Sequence, residues 1–141
     1  MATLKIKALA KHLECKTSAI DKSSYGDNAF NYGSKEYLVL TDREADKLAK
    51  DYILDFLWAF QGSFIQAHSN LSDNAIKALG KAQAELCEDA NDLVKGVIKN
   101  LNRFVQDAIS SDGRGHFLSG YDGEENEEQV NGKTFYIYRT N

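Results

Sequence analysis

Proline is absent from the 141 residues of this chain, and cysteine, methionine and tryptophan are rare. Without proline the chain holds no proline-rich linker, and we find no internal repeat or low-complexity tract that would separate two folding units. The length is typical of one domain. We therefore predict a single domain that covers residues 1–141.

The chain contains only two cysteines, Cys15 and Cys87. Two thiols can form at most one disulfide, and neither cysteine belongs to a CxxC pair or to a Cys and His set with zinc spacing. We expect two reduced thiols packed as small hydrophobic side chains. We also expect no metal site and no cofactor.

Long apolar runs are missing as well. A membrane span needs about 20 apolar residues, whereas the run from Tyr52 to Phe60 is interrupted by Asp55. Near the start of the chain, Lys11 and Glu14 stand where a signal peptide would be apolar. We therefore expect a cytoplasmic protein without a membrane partner.

Acidic residues outnumber basic ones and give a formal net charge of −4, which argues against a generic nucleic-acid coat. The first 22 residues are the exception, because five lysines against two acids give them a net charge of +3. A basic end of this kind could meet phosphates, or it could be a solvated helix face.

The N-terminal segment, residues 1–24, has the pattern of a helix followed by a turn. Apolar residues recur at helical spacing and predict a helix from Thr3 to Glu14, and a second helix or turn through Thr17 to Lys22. Leu9 to Ile20 resembles the first half of a helix-turn-helix, although Glu14 stands where the turn usually has glycine. Its recognition helix would present Lys16, Thr17, Ser18 and Lys22 to nucleic acid. The alternative is a helical hairpin packed on the core.

The middle of the chain predicts a hairpin followed by two long helical segments. Aromatic and β-branched runs flank Gly33, which predicts a β-hairpin of residues 30–40. Thr41 to Glu44 fits a capping box, and apolar residues then continue at helical spacing to about His68. Ser72 is a good N-cap for a second segment to about Ile109, with a break near Gly80, Gly96 or Asn100. We expect the two segments to pack antiparallel. Trp58 falls partly outside the apolar stripe, so it either packs or carries a binding site.

The last thirty residues predict a second hairpin. Asn131-Gly132 favours a type I′ turn before the strand of residues 133–139, whose Tyr136 and Tyr138 face one way while Phe135 and Ile137 face the other. That strand should pair with residues 36–40. The fold class is thus α+β: two long antiparallel helical segments, a small antiparallel sheet of hairpins and a short N-terminal helical hairpin, with residues 25–141 holding the helices and the sheet.

The segment Asp112-Gly-Arg-Gly-His116 is the stretch where chemistry is most expected. Free backbone amides beside a guanidinium could cradle a phosphate or carboxylate, and His116 beside acids could hold a divalent ion or transfer a proton. The alternatives are a structural loop, whose Asp and Arg tie the long helix to the sheet, and a partner-binding loop. The candidate binding residues are Arg114, His116, Tyr121, Asp122, Glu124 and Trp58. We identify no catalytic residue. His12 and His68 have no partner constellation in the sequence, so solvated or capping roles are expected.

Five pieces of the chain carry a family resemblance: Tyr37–Asp46, Leu57–Phe60, Asp112–Ser119, Tyr121–Glu125 and Tyr136–Asn141, with the motif DGRGHFLSGYDGEE at their centre. Together they resemble a family of small accessory proteins of tailed phages and prophages. The resemblance covers most of the chain from about residue 30 onwards. It implies a phage origin and an accessory role in the host-cell cytoplasm. It does not indicate any particular activity or catalytic residue.

We therefore expect a non-enzymatic phage accessory protein that binds a host or phage protein, for example to antagonise a host defence system. One alternative is a helix-turn-helix regulator that contacts nucleic acid through residues 1–22. The other is a small enzyme or ligand-binding protein that uses the loop around Arg114.

Overall fold

The computed structural model describes residues 3–141 and confirms the α+β class. Its α-helices are α1 Leu4–Leu13, α2 Asp42–Asp55, α3 Gly62–Ala67, α4 Asp73–Leu86, α5 Asn91–Val97, α6 Leu101–Asp112 and α7 Arg114–Leu118. Its strands are β1 Asp21–Lys22, β2 Ala29–Tyr32, β3 Lys35–Leu40, β4 Asn126–Val130 and β5 Lys133–Arg139. Short 3-10 turns occupy Thr17–Ala19, Leu57–Ala59 and Cys87–Ala90. None of the helices between residues 3 and 141 is long and apolar enough to cross a bilayer.

Contacts divide the chain into two compact units. The sheet unit consists of residues up to 49 and from 112 onwards, and the helical unit consists of residues 50–111. The chain enters the helical unit within α2 and leaves it at the end of α6. That the whole chain behaves as one domain stays a prediction.

Five antiparallel strands form the sheet, in the order β1-β2-β3-β5-β4. Both predicted hairpins are confirmed. Gly33 lies between β2 and β3 with φ 61°, and Asn131 and Gly132 join β4 to β5 with φ 52° and 76°. Positive φ at both central residues is what a type I′ turn requires. The predicted pairing of the last strand with β3 is also confirmed, with Leu38 opposite Tyr138.

Helix α1 packs on one face of this sheet. It contacts β3, β4 and β5, and its buried residues Ala8, Leu9 and Ala10 join a cluster with side chains from alternate positions of the strands. The strand residues of this cluster include Phe30, Tyr37, Val39, Phe135 and Ile137. Because strand side chains alternate between faces, Tyr136 and Tyr138 point to the opposite face, as predicted. The expected packing of the N-terminal segment on the core is therefore confirmed for its first helix, but the expected helical hairpin is wrong, because a single 3-10 turn and strand β1 follow α1.

The second half of the predicted helix-turn-helix is wrong. Helix α1 ends where Glu14 adopts a left-handed conformation with φ 54°, and Thr17–Ala19 form one 3-10 turn. Ile20 is then buried in the sheet cluster, and β1 pairs with β2 as an edge strand of the sheet. Residues 16–22 therefore form no recognition helix: Lys16, Thr17 and Ser18 lie exposed in the turn, and Lys22 lies in a strand.

The first of the two long helical segments is shorter than predicted. The capping box is confirmed, because the Glu44 carboxylate accepts from the Thr41 amide at 2.9 Å and the Thr41 hydroxyl accepts from the Glu44 amide at 3.3 Å. The helix nevertheless stops at Asp55. Side chains from the second segment bond the backbone groups that this stop leaves open: Asn91 bonds the Leu54 carbonyl and the Trp58 amide, and Gln83 bonds the carbonyls of Trp58 and Phe60.

The second long segment is divided in two places. Ser72 caps α4 through the Ala75 amide at 3.2 Å, as predicted. The helix ends at Leu86, where Cys87 takes φ 49°, and a further break separates α5 from α6 at residues 98–100. The expected break near Gly96 or Asn100 is confirmed, whereas Gly80 lies inside α4. The core of this unit includes rings that meet edge to face, with Phe104 against Phe60 and Phe64 at centroid distances of 5.0 and 4.9 Å.

Candidate functional site

Three carboxylates and an aromatic ring of the sheet unit surround the Arg114 side chain. The predicted glycine-rich loop is wrong here: Gly113, with φ 82°, is followed directly by the five-residue helix α7. Arg114 is the first residue of α7. Its guanidinium donates to Glu125 through Nε at 2.8 Å, and to Asp42 and Asp46 through Nη1 at 2.8 and 3.0 Å. It also lies 4.6 Å from the centre of the Tyr136 ring. The side chain is only 10% exposed.

The electrostatics of this cluster hold Arg114 in its cationic form. Burial by itself would lower the pKa of the guanidinium, but hydrogen bonds to Glu125 and Asp42 outweigh it and raise that pKa above its usual range. Tyr138 donates to the same Glu125 carboxylate, and burial followed by this hydrogen bond raises the pKa of the phenol. The network links α2, α7 and β5 and uses the polar groups internally, as the structural-loop alternative expects.

The other predicted residues of this region do not converge with Arg114. Asp122 accepts from the Ser119 hydroxyl at 2.8 Å and from the Glu124 amide at 3.0 Å, and these hydrogen bonds lower its pKa. Tyr121 is exposed and lies against the Arg139 guanidinium at 3.5 Å. His116 and Glu124 are exposed. Between residues 3 and 141 no group of three or more His, Cys, Asp or Glu side chains is placed to hold a metal ion.

Trp58, the remaining candidate, belongs to a row of rings in the helical unit. Tyr52 and Phe56 stack at 4.5 Å, and Phe56 lies 6.4 Å from Trp58. Tyr52 and Phe56 are 42% and 37% exposed although both are large hydrophobic side chains. The three rings are called the aromatic row below. The buried indole Nε1 of Trp58 has no hydrogen-bond partner in the part of the chain that is described, which costs about 1–3 kcal/mol.

Acidic side chains accompany the aromatic row. Gln83, whose amide bonds the Trp58 carbonyl, is followed one helical turn later by Leu86, which is 45% exposed. No lysine or arginine occurs between residues 51 and 76 or between residues 82 and 94. The exposed acids of these stretches include Asp55, Glu85, Glu88, Asp89 and Asp92. The segments that build and flank the row are therefore both apolar and negatively charged.

His68 has a partner that the sequence analysis missed. Its Nε2 lies 2.9 Å from Asp107 Oδ2, and its ring packs against Phe64 and Phe104. Residues 68 and 107 are brought together by the packing of α3 on α6, and no local spacing connects them. His68, Asp107 and neighbouring basic residues line a cavity of about 520 Å³.

No family model, no curated protein and no solved structure matches this chain.

Proposed function

We propose that this protein is a non-enzymatic binding protein that attaches to another protein through the aromatic row. The single observation that carries the proposal is the exposure of stacked large rings, Tyr52 and Phe56, beside Trp58 in the helical unit. Aromatic side chains are enriched at the centres of protein interfaces, because each contributes a large rigid apolar area.

The charge of the surrounding segments specifies the chemistry of the partner. Acids without intervening bases flank the row on both contributing segments. A partner with a basic rim around an apolar contact would be attracted, whereas an acidic partner would be repelled. We therefore infer a basic protein surface or basic amphipathic segment as the partner, in preference to nucleic acid, whose phosphates carry the same sign of charge as these acids.

The role of Arg114 is consistent with this proposal. Its three carboxylate partners occupy the guanidinium within the fold. A ligand that replaced them would have to break hydrogen bonds between charged groups, which contribute about 1.5–3 kcal/mol each. The motif around Arg114 thus serves the architecture of the sheet unit, and the binding function is assigned to the helical unit.

The biological setting extends the proposal. The resemblance to tailed-phage accessory proteins suggests a partner in an infected bacterium, with a component of a host defence system as the first candidate. Support comes from the motif around residues 112–125 and from the acidic, lysine-free stretches that flank the aromatic row, which suit attachment to a basic host protein.

Affinity purification with matched variants tests the proposal. Phe56→Arg places a like charge against the basic partner, and Tyr25→Arg makes the same change at an 84% exposed tyrosine of the sheet unit. We expect a stoichiometric basic protein to be recovered with the wild type and with Tyr25→Arg, and lost with Phe56→Arg. Recovery that is equal for all three proteins, or turnover of a small molecule without any such partner, would reject the proposal.

Intrinsic fluorescence provides the second readout. Trp58 is the only tryptophan of the chain, so its emission reports on the aromatic row without a label. Adding the purified partner should shift the Trp58 emission and should do so less strongly as salt is raised, because salt screens the acidic rim. An unchanged emission on saturating binding would place the interface elsewhere.

A further inference from the structure

We propose that the cavity beside His68 binds the phosphate group of a small phosphate monoester. The cavity lies in the helical unit and is lined by Ala67, His68, Lys99, Asn100, Arg103 and Asp107. This site is independent of the aromatic row and of the protein partner proposed above.

Two exposed cations, Lys99 and Arg103, line the cavity. Within residues 3–141, neither the Lys99 ammonium nor the Arg103 guanidinium forms a salt bridge, although both side chains line the cavity. The only lining carboxylate is Asp107, whose Oδ2 lies 2.9 Å from His68 Nε2. The two positive charges outnumber this single carboxylate, so the lining favours an anion, and guanidinium and ammonium donors match the several oxygens of a phosphate.

His68 provides a rigid polar wall. The residue is 9% exposed, its ring packs against Phe64 and Phe104, and Nε2 lies 2.9 Å from Asp107 Oδ2. Its second ring nitrogen, Nδ1, makes no hydrogen bond with another described residue. A buried imidazole that is fixed at one nitrogen and open at the other can bond a phosphate oxygen or a phosphate hydroxyl.

The backbone adds further donors at the same place. Asn100 caps the twelve-residue helix α6 by accepting from the Arg103 amide at 3.1 Å, and its first turn contains no acid. The first amides of a helix have no carbonyl partner within it, and they favour negative charge. The Lys99 amide donates to the His68 carbonyl at 2.8 Å, which holds the start of α6 against His68.

The size of the cavity favours an ester over the free ion. Its volume of about 520 Å³ falls within the range of small-molecule sites, which extends over about 300–1,000 Å³. The charged end of the ligand would meet Lys99, Arg103 and His68, and the remaining volume would hold the esterified group. A nucleoside monophosphate is a representative of this class.

Nuclear magnetic resonance titration of the full chain tests the site with inorganic phosphate and adenosine monophosphate as separate probes. We expect both probes to shift the amides of Leu101–Arg103 and the His68 ring. Arg103→Ala and Lys99→Ala should each weaken binding about tenfold, which corresponds to about 1.4 kcal/mol. Lys77→Ala, an exposed lysine of α4, should leave the affinity unchanged.

The two probes identify the source of the phosphate. Tighter binding of the nucleotide supports an esterified ligand, as the volume predicts, whereas equal binding of both probes would overturn the ester and leave only a phosphate site. The whole site is overturned if neither probe shifts residues 101–103, or if Lys77→Ala weakens binding as much as Arg103→Ala. His68→Asn, which removes the ring but leaves both cations, should also weaken binding. These results do not depend on the aromatic row.

Discussion

At the scale of single residues, Arg114 shows how one buried cation can organise charges from distant parts of the chain. Replacing it by alanine leaves Glu125 and the phenol of Tyr138 without their cation and removes the stacking on Tyr136. We expect Arg114→Ala to lower the free energy of unfolding by about 2–4 kcal/mol. Urea denaturation of the wild type and the variant measures this difference in the free energy of unfolding.

The neighbouring Arg43 is the matched control for this change. It is exposed on the same turn of α2 as Asp42, so Arg43→Ala should change stability by no more than about 0.5 kcal/mol. Arg114→Lys should recover only part of the loss, because an ammonium cannot reproduce the forked geometry of the guanidinium. Equal effects of Arg43→Ala and Arg114→Ala would show that the charge cluster contributes nothing specific.

Tyr138 makes the stability of the fold depend on alkaline pH. Burial raises the pKa values of Tyr37 and Tyr138 above 10, so the folded protein keeps protons that the unfolded chain loses near that pH. The contribution of these tyrosines to stability should therefore be constant below about pH 10, and above it stability should fall by up to about 1.4 kcal/mol per pH unit for each such tyrosine. Denaturation at several pH values checks this. The stability of the Tyr138→Phe variant should fall less steeply with pH, and a slope identical to that of the wild type would contradict the role of Tyr138.

At the scale of the elements, α7 approaches the following loop so closely that only glycine fits at position 115. An added Cβ would lie 2.4 Å from the Gly123 carbonyl oxygen and 2.9 Å from the Glu125 nitrogen, both of which are backbone atoms. We expect Gly115→Ala to destabilise the protein by about 2 kcal/mol or more, because the helix and the loop must separate.

Gly80 is the opposite case and serves as the control. It lies inside α4 with nothing within 4 Å of an added Cβ. Gly80→Ala should therefore raise stability by about 0.5–1 kcal/mol, because alanine is the better helix former. Thermal unfolding of both variants distinguishes the two positions. Destabilisation by Gly80→Ala would show that α4 is crowded there, against the geometry.

The helices also show where prediction from sequence ends at this scale. The apolar stripe from Ala45 onwards predicts a helix correctly but not its stop at Asp55, since helical spacing continues through Phe56 and Phe60. The stop depends on Asn91 and Gln83, which lie far along the chain and bond the backbone groups that become free. No local pattern contains that information, because the competing hydrogen bonds are tertiary.

At the scale of the whole molecule, the sheet unit combines strands from the two ends of the chain, because β3 pairs with β5. Ile137 in the inner strand β5 is fully buried in the cluster that α1 also joins. We expect Ile137→Ala to lower the free energy of unfolding by about 2–5 kcal/mol. Hydrogen exchange should then show α1, β3 and β5 losing protection together, while α4 keeps its own. Loss confined to β5 would show that the sheet unit does not unfold cooperatively.

The candidate sites differ in how much of each could be predicted from the sequence. The motif around Arg114 is visible in the sequence, yet its structural role follows only from the positions of Asp42, Asp46 and Glu125 around it. Trp58 could be singled out because it falls partly outside the apolar stripe. The cavity at His68 could not be predicted, because Asp107 reaches it only through the packing of α6 on α3.

By itself, the sequence determined the features that depend on near neighbours in the chain. These are the two hairpins with their turns at Gly33 and Asn131-Gly132, the helix starts at Thr41 and Ser72, and the alternation of Tyr136 and Ile137 between the sheet faces. Turn dihedrals, caps and side-chain alternation are set within a few residues. Only the tertiary structure decided where the long helices stop, that Ile20 and β1 join the sheet instead of a recognition helix, and that His68 meets Asp107. Each of these depends on hydrogen bonds or burial between residues that are distant in sequence, and such contacts override local propensity because they bury backbone and side-chain groups that would otherwise face water.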